Sequence, residues 1–372
     1  KTLKSHLAED YIIDVITTLP NRYHGYKKNA PRFENKLGVN ITRIPLPNHK
    51  SGLIDQIFAF SVYFFWTLKI SRENNYKIIY ASSSRLMTAF LGAIISKTRS
   101  VPLYLDIRDI FVDTINDVFS FSIRKLITPL FSLIEKFTFN TAKRINLVSG
   151  GFKVYFNYNY PDKAYRFFTN GIDAEILNYN FENENRNNSK KILLYAGNIG
   201  KGQGLEMIIP GLSNKLTEDW NIVIIGDGGA LSILKKEVNK SNRNNVSFLP
   251  PMSRAKLLEY YKKATCLFLH LNTHSAFDKV LPSKILEYGA TGKPMIAGVG
   301  GYSKKFIYDE LVNVIVFKQG DVNDALNALN RVSLAYSDRI RFSEKYKREN
   351  IDNRMSEDIL QFISMYKTGE SK

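Results

Sequence analysis

The chain has 372 residues and a net charge of +17, with 44% hydrophobic and 23% charged residues. This composition is typical of a folded globular protein, and the length predicts two domains. A single cysteine, Cys266, excludes an internal disulfide and favours a reducing compartment. The longest apolar stretch, residues 57–68, is too short to span a membrane, and no secretory signal is visible. We therefore expect a cytoplasmic location.

The positive charge is spread along the chain. Residues 1–180 hold 24 Lys and Arg against 14 Asp and Glu, and no basic run is longer than Lys27-Lys28. A nucleic-acid-binding protein usually shows a basic stripe or a known motif, and neither is present. The charge favours an anionic membrane surface as partner. A basic pI without a specific partner is the alternative.

Strands alternate with helices in the first half of the chain, which predicts a parallel α/β sheet. A Rossmann-type domain normally opens with a strand and a glycine-rich loop. Here a helix-like segment, residues 1–11, comes first, so we expect that this opening strand and loop are missing. The predicted strands are 12–18, 40–45, 77–81, 101–106 and 145–149, with helices over 51–72 and 82–98.

Charged residues follow the strand 101–106. Ligands of open parallel sheets lie beyond the carboxyl ends of the strands. Asp106, Arg108 and Asp109 are therefore candidate catalytic residues on the substrate side of this domain. The alternative is an Arg–Asp pair that only fixes the loop.

Residues 120–141 form a basic, aromatic-rich helical stretch, which we expect to be kinked or interrupted at Pro129. Basic amphipathic helices can lie on anionic bilayers, although such a stripe is more often a core face.

The chain divides near residue 178. Residues 178–191 are polar and Asn-rich, a linker composition. We predict a first domain over 1–177, the linker 178–191, a second domain over 192–338 and C-terminal helices over 339–372. The second domain repeats the strand–helix alternation, beginning with a strand at 192–196.

The stretch from Phe277 to Val299 carries the strongest site pattern. Pro282 precedes a predicted helix over 283–290, and Gly292 ends it. The free N–H groups at 281–284 form an anion site, with Glu287 one turn further along. An anion site with a carboxylate one turn away suits a ligand that has a phosphate at one end and a sugar diol nearby. A nucleotide is such a ligand.

The segment PSKILEYGATGKPMIA, residues 282–297, resembles the donor-binding segment of family 4 retaining glycosyltransferases. The resemblance implies the GT-B architecture: two Rossmann-like β/α/β domains facing each other across a cleft, with a C-terminal helix crossing back to the first. In this family a Glu-x7-Glu pair brackets the segment, and the second Glu holds the nucleotide ribose. Glu287 matches the second position, whereas the first falls on Lys279. More narrowly, the chain resembles WbuB-type O-antigen transferases, which use UDP-N-acetylfucosamine.

The resemblance implies a UDP-sugar donor, no cofactor and no metal, since no Asp-x-Asp pair is visible. It implies a polyprenyl-diphosphate-linked saccharide acceptor at the inner face of the bacterial inner membrane. From this resemblance and from positions at strand ends, the candidate donor-binding residues are Asn198, Gly200, Lys201, Gly226, Pro251, Met252, His270, Asp278, Lys279, Leu281, Pro282, Ser283, Lys284 and Glu287.

Other interpretations are less well supported. Cys266, His270 and His274 are spaced by four, but residues four apart on a strand lie about 13 Å apart, which argues against zinc. A UDP-N-acetylglucosamine 2-epimerase would share the architecture, but its acid/base carboxylates are not evident. A non-catalytic basic membrane-binding protein would leave the pattern at 281–287 unexplained.

Overall fold

The computed structural model describes residues 2–9, 11–19, 30–47, 53–83, 86–110, 121–182, 190–241 and 243–367. The chain forms two compact units. Unit 1 comprises residues 1–148, 156–168 and 352–372, and unit 2 comprises 149–155 and 169–351. Residues 169–177, which the sequence placed in the first domain, therefore lie in unit 2. Part of the predicted linker, 183–189, falls outside the described residues.

Unit 1 contains two small sheets. The strands β1, β2 and β3 form one, in the order β1-β3-β2, with β1 parallel to β3 and β2 antiparallel. The other is fully parallel, in the order β4-β5-β6-β7. The strands are β1 (Ile13–Thr18), β2 (Phe33–Lys36), β3 (Val39–Ile44), β4 (Ile79–Ser83), β5 (Leu103–Ile107), β6 (Arg144–Leu147) and β7 (Tyr165–Arg166). The helices are Thr2–His6, Leu53–Ile70, Leu86–Arg99, Phe121–Thr141 and Lys153–Asn159, the last of which begins in unit 2.

The two central strands of the parallel sheet of unit 1 are buried along their whole length. All residues of β5 and β6 are buried, as expected for a strand covered on both faces. Helix Phe121–Thr141 runs continuously through Pro129, so the predicted interruption is not present. The two strands absent from the prediction, β2 and β7, are short and have little apolar pattern.

Unit 2 is a six-stranded parallel sheet in the order β10-β9-β8-β11-β12-β13. Its strands are β8 (Lys191–Asn198), β9 (Trp220–Asp227), β10 (Val246–Leu249), β11 (Cys266–His270), β12 (Met295–Gly298) and β13 (Val314–Phe317). Its helices are Ala174–Leu177, Leu205–Lys215, Leu231–Val238, Arg254–Lys263, Ser283–Ala290, Gly301–Glu310, Val322–Arg331 and Ile340–Lys345, with 3₁₀ turns at Gly150–Phe152 and Ser275–Lys279. Two buried apolar clusters pack against the sheet.

The last helix, Arg348–Lys367, begins in unit 2 and continues into unit 1. Within unit 1, buried Asp358 fixes it. Asp358 accepts hydrogen bonds from Arg144 at 2.9 Å, Arg166 at 2.6 Å and the Tyr104 hydroxyl at 2.9 Å. Removing one partner of such a pair leaves a buried charge uncompensated, so this network holds the end of the chain on unit 1. Within the described residues, no helix is long and apolar enough to cross a membrane.

Candidate nucleotide site

The loop after β8 is held in shape by its own side chains. The Gln203 side-chain carbonyl accepts hydrogen bonds from the Gly200 N–H at 3.1 Å and from the Asn198 amide at 3.0 Å. The Asn272 amide, just beyond β11, donates to the Lys201 carbonyl at 2.9 Å. Lys201 is exposed, and within the described part of the chain its ammonium makes no hydrogen bond or ion pair. The loop is therefore held by hydrogen bonds of its own side chains, and the Lys201 ammonium is placed to contact an anion.

His270 ties this loop to the end of the sheet. It is fully buried, its Nδ1 lies 2.7 Å from the Gln203 carbonyl, and its Nε2 accepts from the Gly320 N–H at 2.9 Å. The Gly320 donor requires an unprotonated Nε2, so Nδ1 carries the proton. Because both ring nitrogens are engaged, we assign His270 to positioning the loop. It does not present an atom to a ligand.

Burial lowers the pKa of His270 to about 4. The unfolded chain takes up a proton below about pH 6.5, whereas the folded chain does so only near pH 4. The free energy of unfolding should therefore fall as the pH drops through this window, by about 3 kcal/mol at most. In His270→Gln the acid side of the stability profile should be flatter, measured by urea unfolding from pH 7 to pH 4. His274→Gln is the control, and an unchanged slope in His270→Gln would contradict the assignment.

Two glycines allow the ends of β8 and β9 to approach closely. Gly226 has φ of +148°, and a Cβ built there would lie 1.8 Å from the Gly197 carbonyl oxygen. A Cβ on Gly197 would lie 2.1 Å from Cε of Lys284. At Gly226 the clash would be with backbone, so this position requires glycine, whereas at Gly197 it is the φ of +157° that favours glycine. Gly226 thus shapes the site through the backbone.

The helix Ser283–Ala290 has the predicted bounds. Pro282 occupies its N-cap position, and Gly292 follows it with φ of +67°. Leu281 is buried and anchors the segment that leads into the helix. Within the described residues, the N–H groups of Ser283 and Lys284 donate to no protein acceptor. These donors, together with the helix dipole, favour an anion at this end.

Lys284 joins the helix to the end of β8 and the loop after it, residues 197–204, which we call the glycine loop. Its side chain crosses Gly197, and its ammonium lies 5.6 Å from the centre of the Tyr288 ring. Within the described residues it makes no ion pair or hydrogen bond. Burial lowers the pKa of Lys284, while Glu287 acts in the opposite direction. An anion beside Lys284 would stabilise its charged form and oppose the effect of burial on its pKa.

Glu287 lies one turn further along the same helix and is partly buried. Its Oε2 is 3.4 Å from an Arg254 guanidinium nitrogen and 3.4 Å from the Tyr261 hydroxyl, which donates to it. Burial and the nearby Glu287 charge both raise the pKa of Tyr261. These two partners orient the carboxylate, and sequence reasoning missed both.

Arg254 also links Glu287 to the segment that enters unit 2. Its guanidinium lies 3.6 Å from Asp173 and 3.8 Å from Glu175. Asp173 accepts in turn from Arg348 at 2.5 Å. The Arg254 guanidinium therefore forms ion pairs with three carboxylates. The only sequence signal was a basic residue at the start of a helix, which is too common to indicate this role.

The remaining candidates of unit 2 lie around this cluster. Asp278 is exposed and packs against Gly300 and Gly301. Lys279 is half-buried, and its carbonyl accepts from the Ser149 hydroxyl at 2.6 Å. Pro251 and Met252 are half-buried just after β10. Within the described residues, no three His, Cys, Asp or Glu side chains are arranged to hold a metal ion.

The three candidates in unit 1 differ in exposure. Asp106 is buried and accepts from Ser82 at 2.8 Å, Arg108 at 3.0 Å and Asn146 at 2.8 Å. Its oxygens are thus committed to holding the ends of β4, β5 and β6 together. Arg108 and Asp109 are exposed. Asp106 therefore helps to fix the loop that carries Arg108 and Asp109, and the catalytic role of the three residues stays a prediction.

The second half of the chain matches a known family. Residues 178–349 match the family described as glycosyl transferases group 1. This segment is a little under half of the chain and contains every donor-site candidate named above. A 116-residue stretch is 34% identical to WcaI of Escherichia coli (strain K12), whose name assigns it to colanic acid biosynthesis as a glycosyl transferase. That stretch spans 31% of this chain and 28% of the relative.

Solved structures show the fold. Sucrose-phosphate synthase from Thermosynechococcus elongatus superposes with a TM-score of 0.73 at 16% identity, over 98% of this chain and 92% of that one. HepE from Anabaena, in complex with UDP and glucose, gives 0.63 at 15% identity, over 87% and 86% of the two chains. The chain has the GT-B fold. The prediction of a two-domain α/β protein with the GT-B fold is confirmed.

Proposed function

We propose that this protein is a retaining glycosyltransferase that transfers a sugar from a UDP-sugar to a lipid-linked saccharide. One observation carries the proposal. Lys284 and the free N–H groups of its helix meet the glycine loop beyond β8, with Glu287 one turn away. This arrangement offers an anion site and, one helical turn away, a carboxylate that can accept from a diol, which suits a nucleotide.

The donor chemistry follows from these groups. The N–H groups of Ser283 and Lys284, with the Lys284 and Lys201 ammonium groups, would hold the diphosphate. The Glu287 carboxylate would accept hydrogen bonds from the ribose hydroxyls. During transfer the bond between the anomeric carbon and the diphosphate oxygen breaks, and its electron pair stays on the diphosphate. The acceptor hydroxyl oxygen loses its proton and bonds to the anomeric carbon on the same face, which retains the configuration. Donors already in place stabilise that growing charge.

The choice of uridine and of a polysaccharide pathway rests on the comparisons. HepE is a solved relative of the fold that holds UDP, and WcaI is named for colanic acid biosynthesis. Membership of family 4, retention of configuration and N-acetyl-L-fucosamine as the sugar come from the resemblance of residues 282–297. The same resemblance implies transfer without a metal ion, so activity is expected to persist in EDTA.

We assign acceptor binding to unit 1. Asp106 fixes the loop that carries Arg108 and Asp109, and Asp109 is the candidate to take the proton of the acceptor hydroxyl. A polyprenyl-diphosphate acceptor is anionic, and so is the inner face of the bacterial inner membrane, which suits a chain of net charge +17. The protein would thus act in the cytoplasm on the membrane surface.

A transfer assay tests the proposal. The protein is incubated in EDTA with a panel of UDP-sugars and polyprenyl-diphosphate saccharides. Mass spectrometry detects the extended lipid, and NMR gives the anomeric configuration. We expect one donor to yield a product with the donor's configuration, and Asp109→Asn to slow the reaction at least a hundredfold. An inverted product would contradict retention, and full activity in Asp109→Asn would contradict its role.

A further inference from the structure

One helix of unit 1 exposes a continuous apolar face. On Leu53–Ile70, the exposed fractions are 59% for Ile57, 59% for Phe58, 69% for Phe65 and 50% for Trp66. At about 100° per residue, these four side chains fall within about half of the helix circumference. Exposed apolar residues that occur singly need no explanation, whereas a cluster of large ones marks an interaction surface.

The opposite side of this helix packs on unit 1. Ala59 and Thr67 are buried there, and the Tyr63 hydroxyl donates to the Ile16 carbonyl at 3.1 Å. The helix is thus fixed on one side, and its aromatic side faces outward. It cannot bury that face by rotating without breaking these contacts.

The middle of this face carries no charge, and a lysine lies beside its tryptophan. No charged residue occurs from Gln56 to Leu68; exposed Asp55 precedes this segment, and Lys69, Arg72 and Glu73 follow it. The Lys69 ammonium lies 5.2 Å from the centre of the Trp66 ring. Tryptophan and lysine side by side are typical of residues at the boundary between lipid and water, where the ring enters the apolar layer and the ammonium remains among headgroups.

A second helix of unit 1 repeats the pattern. On Phe121–Thr141, Leu130, Leu133 and Phe137 are exposed at helical spacing, and Lys136 is exposed beside them. The acidic residue of this helix, Glu135, is buried and accepts from the Tyr160 hydroxyl at 3.0 Å. Among the described side chains of this helix, the outward charges are therefore basic.

Unit 2 lacks such a face in its described residues. Its exposed large apolar side chains are scattered over different elements: Val154, Met207, Ile233, Tyr308, Val312, Tyr336 and Ile340. The contrast between the two units places the interaction surface on unit 1.

We propose that the Ile57, Phe58, Phe65 and Trp66 face inserts into the headgroup layer of an anionic bilayer, with its helix lying along the surface. The proposal rests on the membrane location given under the proposed function and names the residues that make the contact. One side of the helix packs on unit 1, so the helix would lie in the interface with its other side toward the lipid. Lys69 beside Trp66 and Lys136 on the second helix add attraction to anionic lipids.

The two tryptophans allow a direct test. Trp220 is buried in unit 2, so in a Trp220→Phe protein all tryptophan emission comes from Trp66. We expect a blue shift on vesicles of phosphatidylcholine with phosphatidylglycerol, quenching by brominated acyl chains, and weaker binding in high salt. Unchanged Trp66 emission at saturating lipid would overturn the proposal.

Substitutions on the face give a second measurement. Phe58→Ser with Phe65→Ser should lower vesicle partitioning at least tenfold, since each aromatic ring contributes to the buried apolar area. Tyr308→Ser, an equally exposed aromatic on unit 2, is the control and should bind as wild type. Phe65→Ser alone is used if the double variant does not fold.

Equal partitioning of variants and wild type would contradict the proposed membrane-binding surface. So would self-association through this face, seen by sedimentation, without vesicle binding. UDP titration does not involve this face, and it separates a failed surface from a failed transferase.

Discussion

Replacing Glu287 with alanine should weaken UDP binding tenfold or more and leave the chain folded. The carboxylate is partly buried, and Arg254 and Tyr261 hold it in one orientation, so little ordering remains to be done when a ribose arrives. Losing a charged hydrogen bond of this kind reduces the binding free energy by about 1.5–3 kcal/mol. Isothermal titration calorimetry in EDTA measures the change directly.

Two further variants separate the role of Glu287 from a general effect on unit 2. Glu237→Ala removes a half-buried acid far from this helix in sequence, whose ion-pair partner within the described residues is Lys240 at 2.8 Å, and it should bind UDP as wild type. Glu287→Gln keeps the size of the side chain but not its charge and should be intermediate. If Glu287→Ala binds UDP as tightly as wild type, the ribose contact lies elsewhere.

Replacing Arg339 with alanine should destabilise unit 2 by about 3–5 kcal/mol. Arg339 is buried and donates to the carbonyls of Tyr288, Gly289, Lys293, Val312 and Asn313. Two of these carbonyls end the helix that carries Lys284 and Glu287. Alanine would leave them buried without a donor, and UDP affinity should fall together with stability.

Unfolding of unit 2 can be followed through Trp220 in a Trp66→Phe background, which avoids treating a two-unit chain as two-state. Arg339→Lys keeps the charge but cannot reach all five acceptors, so its loss should be smaller than that of alanine. Arg331→Ala, at an exposed helix end, should change stability by no more than about 0.5 kcal/mol. An Arg339→Ala protein as stable as Arg331→Ala would contradict this account.

Much of the fold was predictable because the local signals agree. The helix at 283–290 has proline before it, glycine after it and an apolar face between them, and its observed bounds match the prediction. The strands of unit 2 are apolar runs that alternate with helices. By contrast, β2 is a four-residue strand, Phe33–Lys36, with one apolar side chain, and it is stabilised by pairing with β3. No periodic pattern of hydrophobic residues predicts such a strand.

The site was predictable in its residues but less so in its contacts. Glu287 and Lys284 follow from a helix start and a spacing of three. The partners of Glu287 lie 26 and 33 positions earlier, at Tyr261 and Arg254, and only tertiary packing brings them together. His270 was predicted to border the pocket because it ends a strand. The structure buries it, since a polar loop and the Gly320 N–H both need a partner there.

The central claim is that unit 2 binds a uridine nucleotide through Lys284, Glu287 and the glycine loop. Titration of wild-type protein with UDP, GDP and ADP in EDTA tests it most directly. The account predicts measurable UDP binding that exceeds binding of GDP and ADP. If none of the three nucleotides binds to protein whose circular dichroism and cooperative unfolding show it to be folded, the glycosyltransferase assignment is wrong.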